Sequence, residues 1–289
     1  MSSKILSQIN NNVDESIYSD FNSMTEYFES TLNGDKELYK YFAIEDDPTF
    51  VENIIRDNTI KFGDPNEFND PFECRSVIGV TSFEYTKRQL DEITRNSGKI
   101  YSENALLRAY DNIVSISLKN YRKRLSKYGI LCLSGTWDNV LMWAHYANSH
   151  KGIIIIFQFD KDNCFYDRMR KVQYKKGVSY FEIDHPNSAK KNWESMSTKD
   201  TYWKYENEYR IINPQSEIQL NDGNGIKTFP RELLKGIIFG CRTIPKVRES
   251  IINMVSRYCP TLKLFDIIIN NSEVKLHKVL IERPTIAAL

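Results

Sequence analysis

The sequence predicts a single α+β domain, and three observations carry that prediction. A helix-rich first half gives way, from residue 129, to a series of short apolar runs of strand length. The longest unbroken apolar run, 153–157, has the length of a buried strand and falls far short of the ~20 residues of a membrane helix. No internal repeat and no long Gly/Ser/Pro-rich linker divides the chain. The expected organisation is an N-terminal helical arm over residues 1–36, then one domain over 37–289 with a helical insertion at about 82–127.

The elements follow in order. Residues 1–36 are rich in Asn and Ser, with Ile17, Phe21, Met24, Tyr27 and Phe28 at helical spacing. That pattern suits a packing arm or a partner-binding helix. An aromatic strand is expected at 37–42, a helix at 50–56 and a strand at 59–62. A turn-rich loop with two prolines fills 63–73. Helices are expected at 82–95 and 103–127; the second shows Leu106, Tyr110, Ile113, Ser117, Tyr121 and Leu125 at spacings of three to four. Its outer face carries Lys119, Arg122, Lys123, Arg124 and Lys127, a solvated face that would also suit phosphates.

Beyond residue 129, strands are expected at 130–134, 152–159, 171–174, 209–212, 226–229, 236–239, 262–269 and 274–281, with a helix at 140–147. Thr243 is a candidate cap for a further helix with Pro245 in its first turn and Val247, Ile251, Val255 and Tyr258 on one face.

Composition excludes several classes. With 289 residues, 41% hydrophobic and 12% aromatic, the chain is neither disordered nor dependent on disulfides to fold. Its 39 basic and 38 acidic residues leave a formal net charge of +1, so it has no global footprint for nucleic acid. Five cysteines (Cys74, Cys132, Cys164, Cys241, Cys259) form no CxxC pair, and 1–10 shows no leader pattern. The expected setting is a reducing cytoplasm, with no membrane contact.

Four motifs can carry chemistry. In Tyr39-Lys40-Tyr41 the tyrosines share one face of a strand and Lys40 points to the other. Phe68-Asn69-Asp70-Pro71-Phe72-Glu73 builds an anchored turn that either clamps a core or frames a pocket. Trp143, His145, Tyr146 and His150 crowd one helix-to-strand corner, without zinc-ligand spacing. Glu206 and Glu208, two apart at the mouth of a strand and flanked by Tyr205 and Tyr209, suit chemistry on a sugar. One carboxylate would stabilise an oxocarbenium-like state or orient a ribose hydroxyl, while the other, its pKa raised by its neighbour, would activate the attacking group. The turn after 236–239, Gly240-Cys241-Arg242, is a weaker candidate for an anion.

Together and in this order, YKYF (39–42), FGDPNEFNDPFE (62–73), CLS (132–134), MWAHYANSHKGI (142–153), WKYENEYRII (203–212) and IIFG (237–240) resemble the bacterial family known as domain of unknown function 2971. A second resemblance is to the mono-ADP-ribosyltransferases. It rests on Lys40 in the place of a basic strand residue, Ser134-Gly135-Thr136 as a Ser-Thr-Ser-like motif, and Glu206-Asn207-Glu208 as Glu-x-Glu.

The second resemblance implies a split sheet core and NAD as substrate. Glu208 would be catalytic, on the nicotinamide ribose, and Glu206 would activate or choose the acceptor. Lys40, Tyr41, Ser134, Trp143, His145 and Tyr146 would line the NAD site, with no metal. The acceptor would be a protein, nucleic acid, nucleotide or water, and such bacterial enzymes are often toxins or antiphage effectors with a neutralising partner. A second copy of the chain is another candidate partner. Two alternatives stand beside this. One is a metal-dependent phosphodiester hydrolase using Asp70, Glu73 and His145. The other is a non-catalytic nucleotide-binding sensor.

Overall fold

The structure is a computed structural model that describes residues 36–74, 76–78, 87–88, 91–92, 95–96, 102–160, 165, 168–177, 179–181, 193–214, 219–221, 224–270, 272–273 and 275–282. Residues 1–35 of the expected arm over 1–36, most of the expected helix at 82–95 and Cys164 lie outside these residues. The described chain is α+β and falls into two compact units. The smaller is built from Asp64–Tyr128 and Gln173–Thr201, the larger from Ser30–Gly63, Gly129–Val172 and Tyr202–Leu289.

The larger unit is organised by one mixed sheet. Its strands are β1 (Lys36–Phe42), β4 (Tyr128–Ser134), β5 (Ile153–Phe159), β6 (Met169–Lys171), β10 (Glu208–Pro214), β13 (Leu234–Phe239), β14 (Lys263–Asn270) and β15 (Lys275–Leu280). They lie in the order β15-β14-β13-β5-β1-β4-β10-β6. β13 and β14 run parallel, and α4 (Pro245–Tyr258) supplies the crossover that a parallel pair requires.

β5 is central, between β13 and β1. Ile153, Ile154, Ile155 and Ile156 are all buried because both faces of the sheet are covered there. Ile153, Ile155 and Phe157 pack with Leu38 of β1, with Val51, Ile54 and Ile55 of α1 (Thr49–Asp57), and with Val247, Ile251 and Val255 of α4. Ile154 and Ile156 pack on the other side with Tyr39, Tyr41, and Met142 and Trp143 of α3 (Val140–Tyr146). Burying each such side chain is worth roughly 1.5–3 kcal/mol, so this double-sided core dominates the unit's stability.

The sheet curls toward the α3 side. β15 and β1 are four strand steps apart, about 19 Å in a flat sheet. Yet the ammonium of Lys278 on β15 lies 5.8 Å from the ring centre of Tyr39 on β1. Thr243 does not cap α4: Ile244 holds the N-cap position, and the Thr243 hydroxyl donates instead to the carbonyl of Gly152 at 3.0 Å. A three-stranded sheet, β11-β12-β2, adds β2 (Thr59–Lys61), β11 (Gln219–Asn221) and β12 (Asn224–Thr228) to this unit.

The smaller unit carries α2 (Glu103–Leu125), capped by Ser102, whose hydroxyl accepts from the Ala105 N–H at 3.3 Å. Two parallel pairs accompany it: β3 (Ser76–Ile78) with β8 (Ser179–Phe181), and β7 (Gln173–Lys175) with β9 (Thr198–Asp200). Arg122, Lys123 and Arg124 stand in the last turn of α2, where positive charge offsets the carbonyl end of the helix dipole. That gives these three residues of the basic run a structural role.

Candidate functional site

Three motifs separated in sequence meet in the larger unit. β1 and β4 pair with Tyr39 opposite Ser134, so Ser134 shares the face of Tyr39 and Tyr41. At the end of β4 the Ser134 hydroxyl donates to the carbonyl of Glu206 at 2.7 Å and accepts from the Thr136 N–H at 3.1 Å. The Gly135 N–H donates to the Asn207 carbonyl at 2.8 Å. A Cβ at 135 would stand 2.4 Å from the Asn207 amide nitrogen and 3.1 Å from the Tyr209 ring, so glycine lets the Asn207 side chain lie against this turn.

α3 is tied into the same junction. Asn139 caps it, its side-chain oxygen accepting from the N–H groups of Leu141 and Met142 at 2.9 and 3.3 Å. Its amide nitrogen donates to the carbonyl of Tyr205 at 3.1 Å. The Tyr146 hydroxyl then reaches Glu206 and donates to its Oε1 at 2.5 Å.

Glu206 is the last residue of a 3₁₀ segment, Thr201–Glu206, and Asn207 follows with φ 44°. This left-handed step breaks the strand alternation that would have set the two carboxylates side by side. They have different partners instead. Glu206 is buried and bonded to a half-buried phenol. Glu208 is buried within β10 and gripped by Arg210, with Oε1 accepting from Nε and Oε2 from Nη2, both at 2.8 Å. Arg210 is 0% exposed, so this is a two-pronged ion pair inside the protein.

The expected site residues therefore separate. Tyr41, Ser134, Trp143, Tyr146 and Glu206 gather about one face of the sheet, and Glu208 is on that face too, since Tyr209 and Ile211 beside it pack in the cluster on the other side. Lys40 does not join them: it pairs with Ile155 in the register and shares the face of Leu38 and Phe42, where its ammonium lies 5.9 Å from the Phe42 ring centre. Tyr41 and Trp143 are wall rather than lining. Their rings meet edge to face at 5.4 Å, the Tyr41 hydroxyl donates to the Thr136 carbonyl, and the Trp143 indole donates to the Trp137 carbonyl at 2.7 Å. Burial pushes the Tyr41 phenol far above its ordinary range, with Asp138 adding to it, so it stays neutral.

The accessible rim is aromatic. Trp203 and Tyr205 lie 6.1 Å apart between ring centres, Tyr205 and His145 6.3 Å, and His145 and Tyr146 6.5 Å. These rings lead from the 3₁₀ segment to the carboxylate of Glu206. Trp203 and Tyr205 were visible in the sequence as part of WKYENEYRII but were not expected to line the site.

The corner after α3 holds a feature that the sequence reading missed. Asn148, Ser149 and His150 all have positive φ, at 46°, 54° and 70°. Consecutive left-handed residues cost roughly 1–2 kcal/mol each. Long-range bonds hold the turn: the Asn148 amide donates to the Ile44 carbonyl at 3.0 Å, and the His150 and Gly152 carbonyls accept from the N–H groups of Arg242 and Gly240, each at 3.0 Å. The Gly240-Cys241-Arg242 turn, which the sequence offered to an anion, thus spends two N–H groups on this corner.

Asp70 and Glu73 belong to the smaller unit and have structural partners there. Asp70 accepts from the Phe72 N–H at 2.8 Å, and Glu73 forms a buried ion pair with Lys199 at 3.2 Å. Among the described residues no group of three His, Cys, Asp or Glu is placed to hold a metal, and no helix is long and apolar enough to cross a membrane.

The larger unit defines a class: an α+β protein whose curled mixed sheet holds a buried carboxylate beneath an aromatic rim. A family model described as a protein of unknown function, DUF2971, matches residues 142–211, the stretch that runs from α3 through the left-handed corner and Glu206 into β10. No curated protein and no solved structure matches the chain.

Proposed function

We propose that the chain is an ADP-ribosyltransferase-like enzyme that cleaves NAD, with Glu206 as the reacting carboxylate. The observation that carries the choice is the hydrogen bond from Tyr146 to Glu206, set against the double grip of Arg210 on Glu208. A carboxylate that stabilises a growing positive charge must have negative charge to offer. Arg210 grips Glu208 through both oxygens and offsets its charge, whereas the hydroxyl of Tyr146 orients the Glu206 carboxylate with a single hydrogen bond. The role that the resemblance gives to Glu208 therefore passes to Glu206, and Glu208 becomes part of the scaffold.

The chemistry balances simply. The bond between the nicotinamide nitrogen and the ribose C1′ breaks, its electron pair leaving with nicotinamide as a neutral ring. Positive charge moves to the ribose, where the Glu206 carboxylate stabilises it. An acceptor hydroxyl, ring nitrogen or water forms the new bond to C1′ and gives up a proton. The rim of Tyr146, His145, Tyr205 and Trp203 offers flat faces to a planar ring and so fits the substrate.

The test is incubation with NAD labelled on its adenylate phosphate, alone and with cell lysate. The unmodified protein should release labelled ADP-ribose or transfer it to a macromolecule. Glu206→Gln should lower that rate by about 10²–10³-fold, the usual cost of removing one preorganised stabilising group. Absence of turnover in the unmodified protein, or full turnover in Glu206→Gln, would overturn the reading. Binding of NAD without turnover would favour a nucleotide sensor instead.

A further inference from the structure

We infer that Tyr39, Trp137, Phe265 and Glu37 form a cage for an alkylated ammonium ion, which the chain fills with its own Lys278. The Lys278 ammonium lies 4.9 Å from the ring centre of Phe265, 5.4 Å from Trp137 and 5.8 Å from Tyr39. The carboxylate of Glu37 stands 3.8 Å from it. These groups come from three separate segments: β1, the loop after β4, and β14. Lys278 reaches them from β15, the edge strand, opposite Ile267 in the register. The Tyr39 hydroxyl hydrogen-bonds to the Glu37 carboxylate and fixes its orientation.

Each ring presents a negative face to the cation, and the attraction holds within about 6 Å of the centroid. Three such faces and a carboxylate exceed what is needed to anchor one surface lysine. A primary ammonium is a poor occupant, because it is strongly hydrated and surrenders water on entering. A methylated ammonium is less hydrated and spreads its charge over methyl groups that touch all three rings. The cage is also reachable: the Lys278 side chain is 21% exposed and that of Glu37 41%. Lys278 competes as a tethered ligand, with the effective concentration that its strand confers. This inference does not depend on the role given to Glu206.

The probe is tetramethylammonium chloride, titrated into the full-length protein while the Trp137 indole N–H is followed by NMR, with sodium chloride at equal ionic strength as control. Removing the tethered competitor in Lys278→Ala should tighten apparent binding at least tenfold over the unmodified chain. Adding Trp137→Ala to that variant should reverse the gain, read on the remaining resonances. Equal titration by the unmodified protein and Lys278→Ala, or undiminished binding in the double variant, would overturn the cage. Should Lys278→Ala fail to fold, Lys278→Gln keeps the stem, removes the charge and is judged by the same outcomes.

Discussion

Glu206 and Glu208 differ in what each touches, and that difference decides what each substitution does. Removing the carboxylate of Glu208 takes from the buried Arg210 guanidinium the two-pronged ion pair that holds it. Breaking a buried pair from one side costs about 3–5 kcal/mol. Glu208→Ala should therefore lower the unfolding free energy read from a urea titration by about that much, whatever it does to activity. The joint replacement Glu208→Leu with Arg210→Met should recover part of the loss, because both members of the pair leave together. A Glu208→Ala protein as stable as the unmodified chain would remove Glu208 from the scaffold. The sequence showed both acids, and one of their two partners. The Glu208–Arg210 pairing was open to inspection, since residues two apart on a strand share a face. The Tyr146–Glu206 bond was not, because it spans sixty positions and depends on the left-handed step at Asn207.

At the scale of elements, the legible parts were those that carry their own period or cap. β5 announced itself as an apolar run, and α4 by Pro245 with Val247, Ile251 and Val255 at intervals of four. β3, β8, β9 and β11 were missed. Each is three residues long, too short to show alternation. The left-handed corner at 148–150 was missed for another reason: only Asn148 and, more weakly, His150 favour such backbone, and the bonds holding it come from residues far along the chain. His150 gives the corner a pH dependence. Its ring stacks on Trp143 at 6.3 Å, and its Nδ1 is buried without a hydrogen-bond partner. Burial, and then the nearby Arg242, lowers its pKa below the ordinary 6.5. As pH falls through 6.5 the unfolded chain takes up the proton first, so this contribution to stability, complete above 6.5, is lost as pH approaches the folded value. His150→Asn keeps a residue that tolerates positive φ and removes the titration. Between pH 7.5 and 5.5 the urea midpoint of the unmodified chain should fall further than that of His150→Asn, and parallel curves would contradict the assignment.

At the scale of the whole chain, the two units interleave in sequence, yet the larger one closes its own core. Its buried clusters draw only on β1 to β2, β4 to β6 and the chain from Tyr202 onward. The excursions also leave and return at sites the larger unit already braces. Gly63 and Ile130 exchange both backbone hydrogen bonds, 2.9 Å each way, as the closing pair of a hairpin does. A two-residue Asn-Gly turn placed between them would satisfy that geometry. At the second excursion the Val172 N–H bonds to the Glu208 carbonyl at 2.9 Å; Tyr202 lies four residues before Glu206 on a 3₁₀ segment, about 8 Å at 2 Å per residue, and the two steps on to Glu208 add at most about 7 Å. A six-residue Gly/Ser linker has a root-mean-square span of about 13 Å and bridges that gap. The shortened chain should unfold in one cooperative transition and give dispersed amide resonances. The Tyr146 hydroxyl should still bond Glu206, since α3, Asn139, Ser134 and the 3₁₀ segment from Tyr202 onward are retained. An expanded, non-cooperative state would mean that the smaller unit supplies stability the larger core lacks, and the candidate site would then have to be tested only in the intact chain.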